Sequence, residues 1–152
     1  MKIDFLNTYS WEQAITETCD SDRSITLEKG LGFFDEEVTP QLYDMNDRHK
    51  LIVFVAETFN GLTGDDEGGL TITLQTKDVT DVSWTDTVIT RTILVADIAK
   101  LTAGNFLMIE DYPINLKEMT QIRYTVVGAE PDTGKISTFR GEAHTAIYKH
   151  LV

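Results

Sequence analysis

The most constraining stretch of the chain is Gly69-Leu70-Thr71-Ile72-Thr73-Leu74-Gln75-Thr76, where Leu70, Ile72 and Leu74 alternate with Thr71, Thr73 and Gln75. Successive side chains of a strand point to opposite faces, so this period of two predicts an antiparallel strand with one face buried and one wet. Such a strand needs partners. Leu51-Ile52-Val53-Phe54-Val55-Ala56 supplies one, a continuous apolar run that predicts a strand buried on both faces or at a subunit contact. Between the two, residues 60–69 carry four glycines and three consecutive acids, which predicts a long exposed loop.

Further strands are predicted over residues 79–84, 87–95, 105–109, 121–127, 135–140 and 143–148, with a short one at 24–28 and another at 14–19. Trp84-Thr85-Asp86-Thr87, Asp111-Tyr112-Pro113 and Glu130-Pro131-Asp132-Thr133-Gly134 provide turn residues between them. Helix is scarce. Ser10-Trp11-Glu12-Gln13 fits a capping box, and residues 96–101 are long enough for one turn ending near Gly104. Many short strands with closely spaced turns make an all-β sandwich or barrel. No repeat or linker divides the 152 residues, which read as a single domain.

A chain with 41% hydrophobic and 25% charged residues has the composition of a folded globular protein. Its 25 acidic against 13 basic residues give a net charge of -12, which repels phosphates and argues against nucleic-acid binding. Cys19 stands alone, so no intrachain disulfide is available, and the sequence asks for no oxidising compartment. Neither a signal-peptide core nor a membrane-spanning apolar run is present, and synthesis in the cytoplasm is the expectation.

Motifs that would carry chemistry are missing. His49, His144 and His150 are isolated, with no paired-histidine or cysteine-pair spacing beside them, so no metal is expected. No Gly-x-Ser-x-Gly elbow occurs, and Cys19 has no partner pattern. Lys29-Gly30-Leu31-Gly32 leads into Phe33-Phe34-Asp35 instead of a phosphate loop and reads as a turn. Asp65-Asp66-Glu67 lacks the alternating ligands of a calcium loop and reads as a solvated tip. The expectation is a protein without cofactor or metal that is not an enzyme; a carboxylate pair of the glycosidase kind is defined in space and leaves no sequence signature. Trp84 fits either a sandwich edge or a sugar platform.

The N-terminal residues 1–13 can pack on their own core or reach across an assembly as an arm. In the second case Phe5, Leu6, Tyr9 and Trp11 are the candidate interface residues.

One set of features carries a resemblance. In order, these are Ser24-Ile25-Thr26-Leu27-Glu28-Lys29-Gly30-Leu31-Gly32, the strand at 51–56, and Leu70-Thr71-Ile72-Thr73-Leu74-Gln75-Thr76-Lys77-Asp78. Then follow Leu101-Thr102-Ala103-Gly104-Asn105-Phe106, Pro113, Ile122-Arg123-Tyr124-Thr125-Val126 and Gly134-Lys135-Ile136-Ser137-Thr138. Over residues 24–140 their order and spacing resemble the jelly-roll cement, or decoration, proteins of tailed bacteriophages, of the Bordetella-phage type. The N-terminal segment and the loop at 65–69 have no correspondence.

The resemblance implies a jelly-roll-like antiparallel β-sandwich with little helix. It also implies a structural virion protein on the outer capsid surface, made in the host cytoplasm, whose partner is the major capsid protein and which ties capsomers together. Since unpaired jelly-roll edges must be covered or paired, a homo-oligomer, dimer or trimer, is expected. The residues of the N-terminal arm then become a capsid or subunit interface. The alternative is a carbohydrate- or receptor-binding β-sandwich module, motivated by Trp84 and the acidic loop, and a hydrolase built on acidic residues is a third.

Overall fold

A computed structural model describes residues 7–27, 49–64, 68–113 and 116–142. Its strands are β1 (Thr8–Ala14), β2 (Cys19–Asp20), β3 (Ile25–Thr26), β4 (His49–Asn60), β5 (Gly69–Lys77), β6 (Thr85–Leu94), β7 (Phe106–Asp111), β8 (Met119–Val127) and β9 (Thr133–Glu142). A 3-10 helix, η1 (Val95–Leu101), joins β6 to the loop before β7.

The pairings are nested. β1 pairs with β9, β2 and β3 with β8, β4 with β7, and β5 with β6, all antiparallel, as in one long ribbon folded on itself at the β5–β6 turn. Rolling the ribbon brings β4 against β9 and β5 against β8, which gives two sheets of order β1-β9-β4-β7 and β2-β8-β5-β6, with β3 also on β8. This is the strand order of a jelly roll, and the all-β sandwich expected from the sequence is the fold observed.

Burial follows the alternation. On β5, Leu70, Ile72 and Leu74 are fully buried and meet Leu51, Val53 and Val55 of β4 in the core between the sheets. Fully burying such a side chain contributes about 1.5–3 kcal/mol, so this central layer is the main source of stability. Gly134 sits opposite the core residue Phe59 with φ +148°, and a Cβ there would run into the Phe59 ring.

Two tyrosines cross the core in opposite directions. From β1, the Tyr9 hydroxyl is 2.8 Å from Thr120 Oγ1 on β8 and 3.3 Å from the Tyr112 hydroxyl. From β8, the Tyr124 hydroxyl donates to Ser10 Oγ on β1 at 2.9 Å and shares a 2.8 Å bond with Thr138 on β9. Both rings are fully buried, so these bonds replace the water the hydroxyls lost.

Four local expectations change. Residues 79–84 are not a strand: Asp81 N–H donates to the Asp78 carbonyl at 3.0 Å, Asp78 N–H donates to the Asp81 carboxylate at 3.1 Å, and Lys117 holds both acids. Val79 and Val82 are 60% and 96% exposed, so the stretch has no apolar face to bury and closes as a turn. Ser10 to Gln13 belongs to a strand and not to a helix start. Ser10 Oγ–H does donate to Gln13 Oε1, at 2.6 Å, but across a bulge in β1, where the Glu12 N–H donates to Ser137 Oγ. Residues 8–13 are correspondingly an integral edge strand and not an arm. Residues 14–19 hold the end of β1, a bend and the start of β2. The strand predicted at 143–148, the turn at 29–32 and the loop tip at 65–67 lie outside the described residues.

Burial of Tyr124 pushes its hydroxyl well above the usual tyrosine value of 10.0, against the smaller opposing effect of its bonds to Ser10 and Thr138. A group whose folded value is raised contributes stability that is complete below the unfolded value and is lost as pH rises toward the folded one. Urea midpoints are therefore expected to show no pH dependence from this group up to about pH 9 and to fall from about pH 10 upward. Tyr124→Phe should cost about 1–3 kcal/mol at neutral pH, because it leaves buried hydroxyls short of a partner, and should make the alkaline fall shallower.

Candidate interaction surface

The two outer faces of the sandwich differ in chemistry. Outside the β2-β8-β5-β6 sheet, Thr71 meets Thr92 at 3.0 Å and Thr73 meets Thr90 at 3.1 Å. Gln121 donates to Gln75 at 2.9 Å, Gln75 to Asp86 at 2.7 Å, and Arg123 to Asp20 at 2.8 Å. That face is mainly a hydrogen-bonded polar ladder, with Leu94 and Val127 exposed at one end.

The outside of the β1-β9-β4-β7 sheet is aromatic. Because Leu51, Val53 and Val55 face the core, Ile52 and Phe54 point outward. Ile52 lies opposite Ile109 of β7 and Phe139 of β9, and Phe54 lies opposite Phe106 and Ser137. A register shift in β7 sets Phe106, and not Leu107, across from Phe54. The Phe54 ring is 6.1 Å from Phe106 and 6.1 Å from Phe139, the latter edge-on at 77°.

Trp11 completes the group. The register of β1 shifts between Ser10 and Gln13, and Glu12 takes φ 47° there while its N–H donates to Ser137 Oγ at 2.8 Å. An earlier shift, between Thr8 and Ser10, turns Ser10 to its buried partners beside Tyr9, so that Trp11, next in the alternation, lies edge-on to Phe54 with centroids 6.3 Å apart at 71°. Trp11 remains 37% exposed, whereas Ile52 is fully buried and the three phenylalanines are half-buried. At the margin, Lys50 and Asp111 form an ion pair.

The four interface candidates therefore part company. Trp11 lies on the aromatic face, while Tyr9, its near neighbour in sequence, is committed to the core and presents nothing to a partner. Phe5 and Leu6 lie outside the described residues. Phe54, Phe106 and Phe139 were not singled out in the sequence. The only hint was the unbroken run at 51–56, which called for burial on both faces of β4.

Elsewhere, the Lys77 ammonium lies 5.0 Å from the centroid of the Trp84 ring and occupies one of its faces. Burial, joined by the nearby Asp20, Asp22 and Glu17, pushes the Cys19 thiol up, away from the reactive thiolate. Among the described residues, no three His, Cys, Asp or Glu side chains are placed to hold a metal ion. No protein-family model matches the chain, and no curated protein matches it.

Edge-on aromatic contacts of this kind couple by about 0.5–1.5 kcal/mol. A double-mutant cycle with Trp11→Leu and Phe54→Leu, read by urea unfolding, should return a coupling energy in that range. A value near zero would mean that Trp11 does not rest on Phe54 in solution.

Proposed function

We propose that the protein is a capsid cement, or decoration, protein that binds the outer surface of an icosahedral phage head and stabilises contacts between capsomers of the major capsid protein. The aromatic group Trp11–Phe54–Phe106–Phe139 outside one sheet carries the reading. Interfaces draw most of their energy from a few aromatic anchors, and this face gathers four on adjacent strands, while the opposite face is polar. The jelly-roll strand order agrees with the family that the ordered segments between residues 24 and 140 resemble. A net charge of -12 suits a protein facing solvent on the outside of a DNA-filled shell better than one lining its interior. In this reading the protein works without cofactor or catalysis, as a homo-oligomer that adds interface area across a seam.

The alternative, a carbohydrate- or receptor-binding module, draws on Trp84, but the Lys77 ammonium over that ring competes for the surface on which a sugar would stack. A glycan array, together with a low copy number in virions, would favour it.

The protein is expected in purified virions in numbers comparable to the major capsid protein; absence from them would sink the proposal. Trp11→Ala should keep the thermal midpoint within a few degrees yet weaken retention on particles by roughly 30-fold, the effect of losing an aromatic anchor worth about 2 kcal/mol. Quantitative mass spectrometry of washed particles measures both.

A further inference from the structure

Natural sheets shield their edges, and among the described residues β6 is the least shielded edge. β2 and β3 are two residues each, β7 has six, and β1 is broken by two register shifts. β6 has ten residues and contains no proline, glycine or lysine, and from Thr90 to Leu94 its register with β5 is regular. The bond from Val95 N–H to the Gly68 carbonyl fixes which backbone groups are spent. In an antiparallel ladder bonded and non-bonded pairs alternate, so Ile93 and Arg91 bond to β5, while the N–H and C=O groups of Thr90, Thr92 and Leu94 point away from it.

Beside this edge lies a cleft of about 290 Å³, lined by Arg91 and Ile93 of β6, Lys100 of η1, and Asn105, Phe106 and Leu107 at the start of β7. Arg91 lies opposite the inward-facing Ile72, so it and Ile93 share the side of β6 that looks into the cleft. Lys100 contacts Asp97 at 3.2 Å and remains 54% exposed; Arg91 is exposed and has no ion pair among the described residues. A chain of net charge -12 thus lines this cleft with two cations, Lys100 paired to Asp97 and Arg91 without an acid among the described residues, beside the apolar Ile93, Phe106 and Leu107.

We propose that β6 and this cleft take an extended acidic segment of a partner polypeptide, which adds to the sheet beyond β6. Its backbone pairs with the outward groups of Thr90 and Thr92, a carboxylate side chain sits against Arg91 and Lys100, and an apolar side chain two residues away lies against Ile93. Main-chain pairing supplies affinity and alternate side chains supply selectivity, as in other strand additions. The cleft matches the spacing of such side chains, and its charge selects the acid. This inference does not depend on the capsid reading, since peptide binding is measured without particles.

The test uses the full chain and two capped synthetic peptides, Thr-Glu-Thr-Leu-Thr-Glu-Thr and the same peptide with Lys for Glu, by isothermal titration and by amide shifts along β6. The acidic peptide should bind and the basic one should not. Arg91→Glu should weaken the acidic peptide by roughly ten-fold or more and shift preference toward the basic one. Thr92→Pro, which removes an outward donor, should also weaken binding, and Arg91→Glu carries the test if that variant does not fold. Equal binding of both peptides, indifference to Arg91→Glu, or equal competition by free acetate at the same carboxylate concentration would overturn the proposal. So would a dimer of this chain that Thr92→Pro dissolves, since β6 would then belong to a second copy.

Discussion

The arrangement of the sandwich depends on two buried tyrosine hydroxyls that reach across it in opposite senses. Tyr9 leaves β1 for Thr120 on β8, and Tyr124 leaves β8 for Ser10 on β1 and Thr138 on β9. Apolar contact between sheets is tolerant of small slides, whereas a hydroxyl that loses its partner in the core costs about 1–3 kcal/mol. Sliding one sheet past the other would break both sets of bonds at once, a large share of the roughly 5–15 kcal/mol by which a domain is stable. The polar crossing thus sets the register of the two sheets, while Leu51, Val53, Leu70, Ile72 and their neighbours supply the driving force. The cleft between β6 and β7 owes its shape to the same register, because its walls come from different sheets.

How far the sequence reveals this depends on how local each feature is. β5 is legible because one strand shows its own pattern: three apolar residues inward, threonines outward. A sandwich or barrel follows from the number of such segments, while the jelly roll is what the resemblance implies, and the nested pairing is what fixes it. The stretch at 79–84 misleads because valines and a tryptophan have strand propensity, while the bonds among Asp78, Asp81 and Lys117 that close it as a turn include one from thirty-six residues away. Ser10 and Gln13 mislead for the opposite reason: the pair that marks a helix start also fits across a strand bulge, and only β9 decides which occurs. Tyr9 and Trp11 differ in fate although both are aromatic and two positions apart, where plain alternation would put them on one face. The register shift between Thr8 and Ser10 breaks that rule. The aromatic surface was out of reach of local reasoning, since its rings come from β1, β4, β7 and β9 and meet only once the nested pairing is complete.

The charge distribution favours burial of the aromatic face over other surfaces. Lys117, Arg123 and Lys135 each hold an acid at 2.6–2.9 Å, at positions around 40% exposed, where solvent screens such pairs. These pairs neutralise part of the surface but leave it acidic as a whole. A partner that covered them would have to strip water from charges already satisfied, a cost that often cancels the gain. The aromatic face would impose little of that cost, since Ile52, Phe54, Phe106, Phe139 and Trp11 carry no charge and, among the described residues, the Lys50–Asp111 pair lies at its margin. On the proposed capsid reading, apolar burial there would set affinity, and the surrounding negative field would set which partners can approach. On that reading a surface with positive charge around an apolar seat meets both conditions, whereas the acidic segment proposed for β6 is met by Arg91 and Lys100 at a separate site.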